Sequence, residues 1–222
     1  MLSIKEILTR CDHTLLKQEA TWEQIKTVCD DGLQYQCASV CIPPAYVRQA
    51  ANYVGNNLKI CTVIGFPNGY STTAVKVFET EDAIRNGADE IDMVINLGWV
   101  KDARWDDLLK EIKAIKESCQ GRILKVIVEA CLLTEEEKVM LCDLVTQAGA
   151  EFIKTSTGFS TGGATVEDVA LFRAHIGPEV QIKAAGGIHT AEQAEAMIDV
   201  GATRIGASAL MQIAKREATH HD

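Results

Sequence analysis

Lys154 stands in "FIKTSTGFSTGGAT" (152–165), an ammonium group closing an apolar run and followed by a loop built mostly from Ser, Thr and Gly. Lys183 is placed alike in "VQIKAAGG", just before Gly186 and Gly187, and Asp92 lies in "EIDMVIN". Two lysines and an acid that meet can run amine chemistry. A Schiff base needs the neutral amine, and a free lysine with a pKa near ~10.4 is neutral in only roughly one molecule in 2,500 at pH 7. A second ammonium within about 4–6 Å, with partial burial, disfavours the charged form. In this reading Lys183 makes Lys154 nucleophilic, while Asp92 keeps Lys183 charged and shuttles a proton through water.

Such a meeting requires short strands delivered to a common height. Three segments share one layout: "RNGADEIDMVIN" (85–96), "QAGAEFIKTST" (147–157) and "DVGATRIGAS" (199–208). Each ends a helical pattern, places Gly-Ala and starts a strand two residues later. Gly87, Gly149 and Gly201 therefore suit the left-handed position just past a helix end, where a side chain would clash. Five residues beyond these glycines come Asp92, Lys154 and Gly206, which should lie at similar heights. Helices are legible by period, as in Trp105, Leu108, Leu109, Ile112 and Ile115 along 104–119. Start signals mark others, Thr134 with Glu137 and Thr190 with Gln193. Strands are expected at 10–14, 37–42, 59–65, 89–96, 123–130, 151–155, 180–185 and 203–206. Their alternation with helices predicts a parallel α/β sheet, and eight repeats in 222 residues predict a single-domain (β/α)8 TIM barrel over 1–212. A polar, frayed tail is expected at 213–222, adjacent histidines included.

Side chains alternate across a strand, so one parity faces the helices and the other the barrel interior. Ile91, Met93 and Ile95 claim the outward set of the fourth strand, leaving Glu90, Asp92, Val94 and Asn96 inside. By the same rule Lys125, Ile127, Glu129, Lys154, Gln181 and Lys183 point inward. Every charged residue of these four strands takes the inward parity except Asp89 and Glu151 at the strand mouths. Barrel interiors are normally filled with branched apolar side chains, and an unpaired buried ammonium costs several kcal/mol. Inward lysines should then be paired and functional, with Lys125 expected to neutralise Glu129 or to line the site.

Composition narrows the partners. With 22 basic against 31 acidic residues the net charge is -9, which disfavours a nucleic-acid or anionic-membrane partner. No apolar run approaches the ~18 residues of a membrane span, and "MLSIKEILTRCDH" interrupts its apolar positions with Lys5, Glu6 and Arg10, so a cytoplasmic location is expected. Eight cysteines without a C-x-x-C pair read as reduced, core-filling thiols rather than a disulfide framework or a zinc site. No P-loop or dinucleotide fingerprint is present. Gly186-Gly187 after the seventh strand and "IGAS" with Ser208 after the eighth lie where barrels bind phosphate through backbone N–H groups, and "STG" (156–158) closes the site from the next loop.

With these residues assembled, the chain resembles the deoxyribose-phosphate aldolases from about Cys11 to Met211. The motifs are "DHTLL" (12–16), "SVCIPP" (39–44), "IGFPNG" (64–69), "EIDMVINLG" (90–98), "KVIVEA" (125–130), "FIKTSTGF" (152–159) and "IKAAGGI" (182–188). The resemblance implies a class I, metal-free aldolase, without cofactor, that reversibly splits 2-deoxy-D-ribose 5-phosphate into D-glyceraldehyde 3-phosphate and acetaldehyde in deoxyribonucleoside catabolism. It implies Lys154 as the Schiff-base lysine, Lys183 as its perturbing neighbour and Asp92 as the proton-transfer group. Gly186, Gly187 and Ser208 fall where the family grips the phosphate, Asp12 and Thr14 resemble positions lining the sugar site, and Cys41, Lys125, Thr157, Gly158 and Gly206 are expected among the substrate-binding residues. Its partners would be phosphorylated sugar, aldehydes and a second copy in a homodimer. Two features depart from many relatives: Ala209 follows Ser208 where a second hydroxyl is common, and the "THHD" ending lacks a C-terminal tyrosine. Two rival readings remain at this point: another Schiff-base aldolase or a transaldolase-like enzyme, and a sugar-phosphate binding or isomerising barrel whose lysines only hold anions.

Overall fold

A computed structural model describes residues 2–219. The chain runs α1 (Ile4–Leu8), β1 (Cys11–Thr14), α2 (Trp22–Gln34), β2 (Ser39–Ile42), α3 (Val47–Val54), β3 (Ile60–Ile64), α4 (Thr73–Arg85), β4 (Glu90–Val94), α5 (Leu97–Lys101), α6 (Trp105–Ser118), β5 (Ile123–Ile127), α7 (Glu135–Ala148), β6 (Phe152–Lys154), α8 (Val166–His175), β7 (Gln181–Ala185), α9 (Ala191–Asp199), β8 (Arg204–Ala207) and α10 (Ala209–Thr219). Short 3-10 turns at Pro44–Tyr46 and Ala130–Leu132 follow β2 and β5. All strands are parallel, and β8 pairs with β1 to close the barrel. Among the described residues no helix is long and apolar enough to cross a membrane.

Local chemistry explains the alternation. Thr134–Glu137 and Thr190–Gln193 form reciprocal capping boxes that satisfy orphan N–H groups of α7 and α9. At the other ends Gly87, Gly149 and Gly201 have φ of 105°, 71° and 123°, a region that disfavours side chains, and turn each chain into its next strand.

Strands are shorter than the apolar runs suggested. Asn96 leaves the sheet because its side chain accepts the Trp99 N–H and caps α5. Glu129 lies beyond β5 in the left-handed region, with φ 53°, so strand parity does not govern its side chain. Residues 213–219, expected to fray, instead form the end of α10, because Leu210, Met211 and Ala214 bury one face and Lys215 reaches Asp31 at 2.6 Å. His220, His221 and Asp222 lie outside the described residues.

Two layers result. Ile91, Met93, Leu124, Val126, Ile153, Ile182 and Ala184 belong to the large core between strands and helices. Inside the barrel a small separate apolar cluster, Cys41, Cys61 and Val63, packs against Leu16 and Phe66. Between α4 and α6 a buried Lys76–Glu111 pair at 2.7 Å adds a bond from Lys76 Nζ to the Val94 carbonyl at 2.8 Å, tying the helices to the end of β4 two residues past Asp92.

Candidate active site

Register brings the inward residues together. Asp92 pairs with Lys125, Lys154 with Lys183, and Gly206 with both Ala185 and Asp12. Lys154 Nζ and Lys183 Nζ both donate to Asp92 Oδ2, at 2.8 and 2.7 Å. Sharing one oxygen, the two nitrogens fall within the ~4–6 Å over which like charges act on each other. Lys183 also pairs with Asp12 Oδ2 at 2.5 Å, and Lys125 bonds Asp92 Oδ1 at 2.9 Å and Glu90 Oε2 at 2.6 Å. Arg204 Nη1 completes the set at 2.6 Å from Asp12 Oδ1 and 2.9 Å from Glu90 Oε2.

Lys125, Lys154, Lys183 and Arg204 thus face Asp12, Glu90 and Asp92, one cation more than the carboxylates in contact with them. Burial pushes the Asp92 carboxyl up, but Lys125, Lys154 and Lys183 outweigh it and hold the group well below the usual carboxylate range. Asp12 is likewise held low, against burial, by Lys125, Lys183 and Arg204. Burial alone would neutralise Lys183 and Lys125; Asp12 and Asp92 reverse this and raise both above the ordinary lysine value. Lys183 is therefore held as an ammonium.

All three lysines are buried, and access to a cavity separates them. A cavity of about 420 Å³ opens at the C-terminal end of the barrel and is lined by Thr14, Lys154, Thr157, Gly158, Gly186, Gly187, Gly206 and Ser208, among others. Of the seven charged residues in the network only Lys154 lines it. Asp12, Asp92, Lys125 and Lys183 are fully buried beneath, as is Cys41. Lys125 therefore neither lines the cavity nor neutralises Glu129. The Glu129 carboxylate instead accepts the Thr157 N–H at 3.1 Å and its hydroxyl at 2.5 Å, fixing the loop after Lys154.

Backbone detail supports the amine's position. Thr155 Oγ1 donates to the Ala185 carbonyl and accepts the Ala185 N–H, both at 3.1 Å, stitching β6 to β7 just past the lysines. A Cβ on Gly206 would lie 3.0 Å from Lys183 Cε, so glycine there leaves room for the lysine stem. Gly163 packs so closely under Gly186 that a Cβ would come within 2.2 Å of its carbonyl oxygen. This seats the loop from β6 against the Gly186-Gly187 turn, whose residues have φ of 82° and 73°.

Glu90, Arg204 and Cys61 carry roles that their sequence context did not announce, although all three occupy the inward parity of their strands. Burial pushes the Cys61 thiol well above its usual range, and the protonated sulfur donates to Asp92 Oδ1 at 3.1 Å. Cys41, Cys61 and Asp92 place ligand atoms within 4.8 Å of one another, as do Asp12, Cys61 and Glu90. Their carboxylates already hold ammonium groups, which a divalent cation would have to displace.

A reachable amine, a fixed ammonium beside it and an ionised carboxylate between them can form and protonate a Schiff base. Comparison with known proteins agrees with this chemistry. The family described as "DeoC/LacD family aldolase" matches residues 7–215. A deoxyribose-phosphate aldolase of Streptococcus pyogenes serotype M4 (strain MGAS10750) is 59% identical over 221 residues, spanning 100% of this chain and 99% of that protein. Among solved structures, the aldolase QR15 superposes with a TM-score of 0.92 at 36% identity, covering 97% of each chain. Deoxyribose phosphate aldolase from Aeropyrum pernix, described as a unique tetramer, gives 0.88 at 30% identity, covering 94% of this chain and 89% of that one. The chain belongs to the DeoC/LacD aldolase family.

Proposed function

We propose that this aldolase reversibly cleaves 2-deoxy-D-ribose 5-phosphate into D-glyceraldehyde 3-phosphate and acetaldehyde, with Lys154 as the nucleophile. The observation that carries the assignment is that Lys154 alone, of four clustered cations, lines the cavity while sharing Asp92 Oδ2 with the buried Lys183. Lys154 adds to C1 of the open-chain sugar and loses water to give an iminium. The C3 hydroxyl then gives up its proton, the C2–C3 bond breaks, and its electrons run into the iminium to leave an enamine. Protonation at C2 and hydrolysis free acetaldehyde and the lysine. Asp92, bonded to Lys154, relays protons through water, and the Lys183 charge opposes build-up of positive charge on its neighbour. Thr14 lines the sugar end, and Gly186, Gly187 and Ser208 receive the phosphate on backbone N–H and hydroxyl groups.

Borohydride reduction in the presence of acetaldehyde tests this. One ethyl adduct is expected, on the peptide carrying Lys154, and none on Lys154→Met; an adduct retained by the variant overturns the nucleophile. Release of dihydroxyacetone or pyruvate in place of acetaldehyde would move the chain to another donor class. We further infer a homodimer working in the cytoplasm. A tetrameric relative and the exposed pair Val75 and Phe78, one turn apart on α4, support self-association. A monomeric mass by light scattering would refute it.

A further inference from the structure

Glu129 is 3% exposed, yet among the described residues its carboxylate meets no lysine or arginine; both of its partners belong to Thr157. Burying a carboxylate without a cation is costly. The backbone adds a second cost, because φ 53° and ψ 61° hold a residue with a Cβ in the left-handed region. Both costs serve one geometry. On either side of Glu129 the main chain stays paired with the strand that carries the amine: the Val128 N–H donates to the Lys154 carbonyl at 3.0 Å and the Ala130 N–H to the Thr155 carbonyl at 2.8 Å. The left-handed turn between them aims the side chain at the next stretch of that loop, where it accepts the Thr157 N–H and hydroxyl. Hydrogen bonds to a carboxylate are among the stronger ones. Thr157 Oγ1 in turn accepts the Phe159 N–H at 3.0 Å, carrying the constraint across Gly158. Thr157, Gly158 and Phe159 all line the cavity that holds Lys154. At the far end of the same loop the Ala164 N–H reaches the carbonyls of Ala185 and Gly186 at 3.1 and 3.0 Å. Residues 157–164 are thus anchored twice, by Glu129 and by the Gly186-Gly187 turn.

We propose that Glu129 is a positioning residue: by clamping Thr157 it sets the cavity wall at 157–159 and, through the rest of the loop, the seat of the Gly186-Gly187 turn, and so governs how tightly a phosphorylated sugar is held. The proposal rests on the aldolase reading and on its placement of the phosphate. Glu129 does not line the cavity, and an acid offers a phosphate no attraction, so it acts through Thr157. Lys154 lies on the strand side of the clamp. Its main chain is held by the Val128 N–H and its amine by Asp92, neither of which involves the Glu129 side chain. Loss of the clamp therefore loosens the phosphate end and leaves the nucleophile in place.

The test compares 2-deoxy-D-ribose 5-phosphate with 2-deoxy-D-ribose in the full-length protein, in Glu129→Gly and in Glu129→Gln. Glycine removes the clamp and accepts the left-handed backbone without strain, while glutamine keeps the shape and one acceptor oxygen. Glu129→Gly should raise KM for the phosphorylated sugar by about tenfold or more, the loss expected for a hydrogen bond to a charged group, and weaken competitive inhibition by inorganic phosphate by a similar factor. Its kcat, and kcat/KM for the unphosphorylated sugar, should stay within about threefold, less than one such bond. Glu129→Gln should show the same split at about threefold in KM, and it carries the test if the glycine variant does not fold. Equal losses for both sugars, a fall in kcat with KM unchanged, or no change in either variant overturns the positioning role. Equal KM for the two sugars in the unmodified protein would remove the phosphate site, and the role with it. If that protein cleaves neither sugar and borohydride traps no adduct on Lys154, the aldolase reading itself has failed, and the positioning role falls too.

Discussion

Lys154 and Lys183 hold the same carboxylate oxygen, yet only Lys154 lines the cavity, which makes it the nucleophile in our reading. Lys183 is sealed between Asp12 and Asp92, so Lys183→Met strands two carboxylates on one side. Breaking one side of a buried pair costs about 3–5 kcal/mol, and losing one charge beside the reacting centre lowers kcat by about 100-fold or more. Urea unfolding and steady-state rates at neutral pH check the two effects separately; full activity in the variant would show that the second lysine does not tune the first. Gly206→Ala is a gentler probe. Its Cβ would press on Ala185 Cβ at 2.9 Å and Lys183 Cε at 3.0 Å, an overpacking worth about 1–3 kcal/mol. Because the methyl displaces a lysine stem beneath the cavity, kcat should fall more than KM rises; a pure KM effect would place the strain at the substrate instead.

At the scale of elements, strand period and joint glycines made the barrel and its inward lysines legible. Asp92, Lys154 and Gly206 lie five residues past glycines whose backbone turns the chain in the same way, and the register advances by the same two residues from β4 to β6 and from β6 to β8. Pairing within the interior was not legible, because parity tells which way a side chain points and not which acid it meets across the barrel. Lys125 finds Glu90 and Asp92, while Glu129, past the strand end in the left-handed region, turns to Thr157. Lys76 was hidden for a related reason: a lysine on a helix normally reaches solvent, and only the packing of α4 on α6 buries it against Glu111. Lys76→Met alone should destabilise by about 3–5 kcal/mol, whereas Lys76→Met with Glu111→Leu should be close to neutral. Equal losses in the single and double variants, read from denaturation midpoints, would show that the bond to the Val94 carbonyl, and not the charge pair, holds the two helices.

For the whole molecule, a net charge of -9 surrounds an interior in which cations outnumber the carboxylates they touch. An anionic sugar therefore meets positive charge where the barrel opens, at Lys154, above Lys183 and beside Lys17 at the rim. The same network sets a pH window. Asp12 and Asp92 stay ionised in the folded state at acidities where an unfolded chain, with aspartate pKa near ~3.9, takes up protons. Their contribution is complete above that value and is lost as pH falls toward their depressed folded values. Lys125 and Lys183 are raised, so theirs is complete below about 10.4 and fades only as pH climbs toward the folded values. Between these limits the network contributes a constant amount. Unfolding free energies of the unmodified protein and of Asp92→Asn, measured across pH, should differ by an amount that is level from about pH 5 to 9 and shrinks below about 4. A difference that widens on acidification would mean that Asp92 enters the folded state protonated, and that the lysines around it are not the cations that hold it ionised.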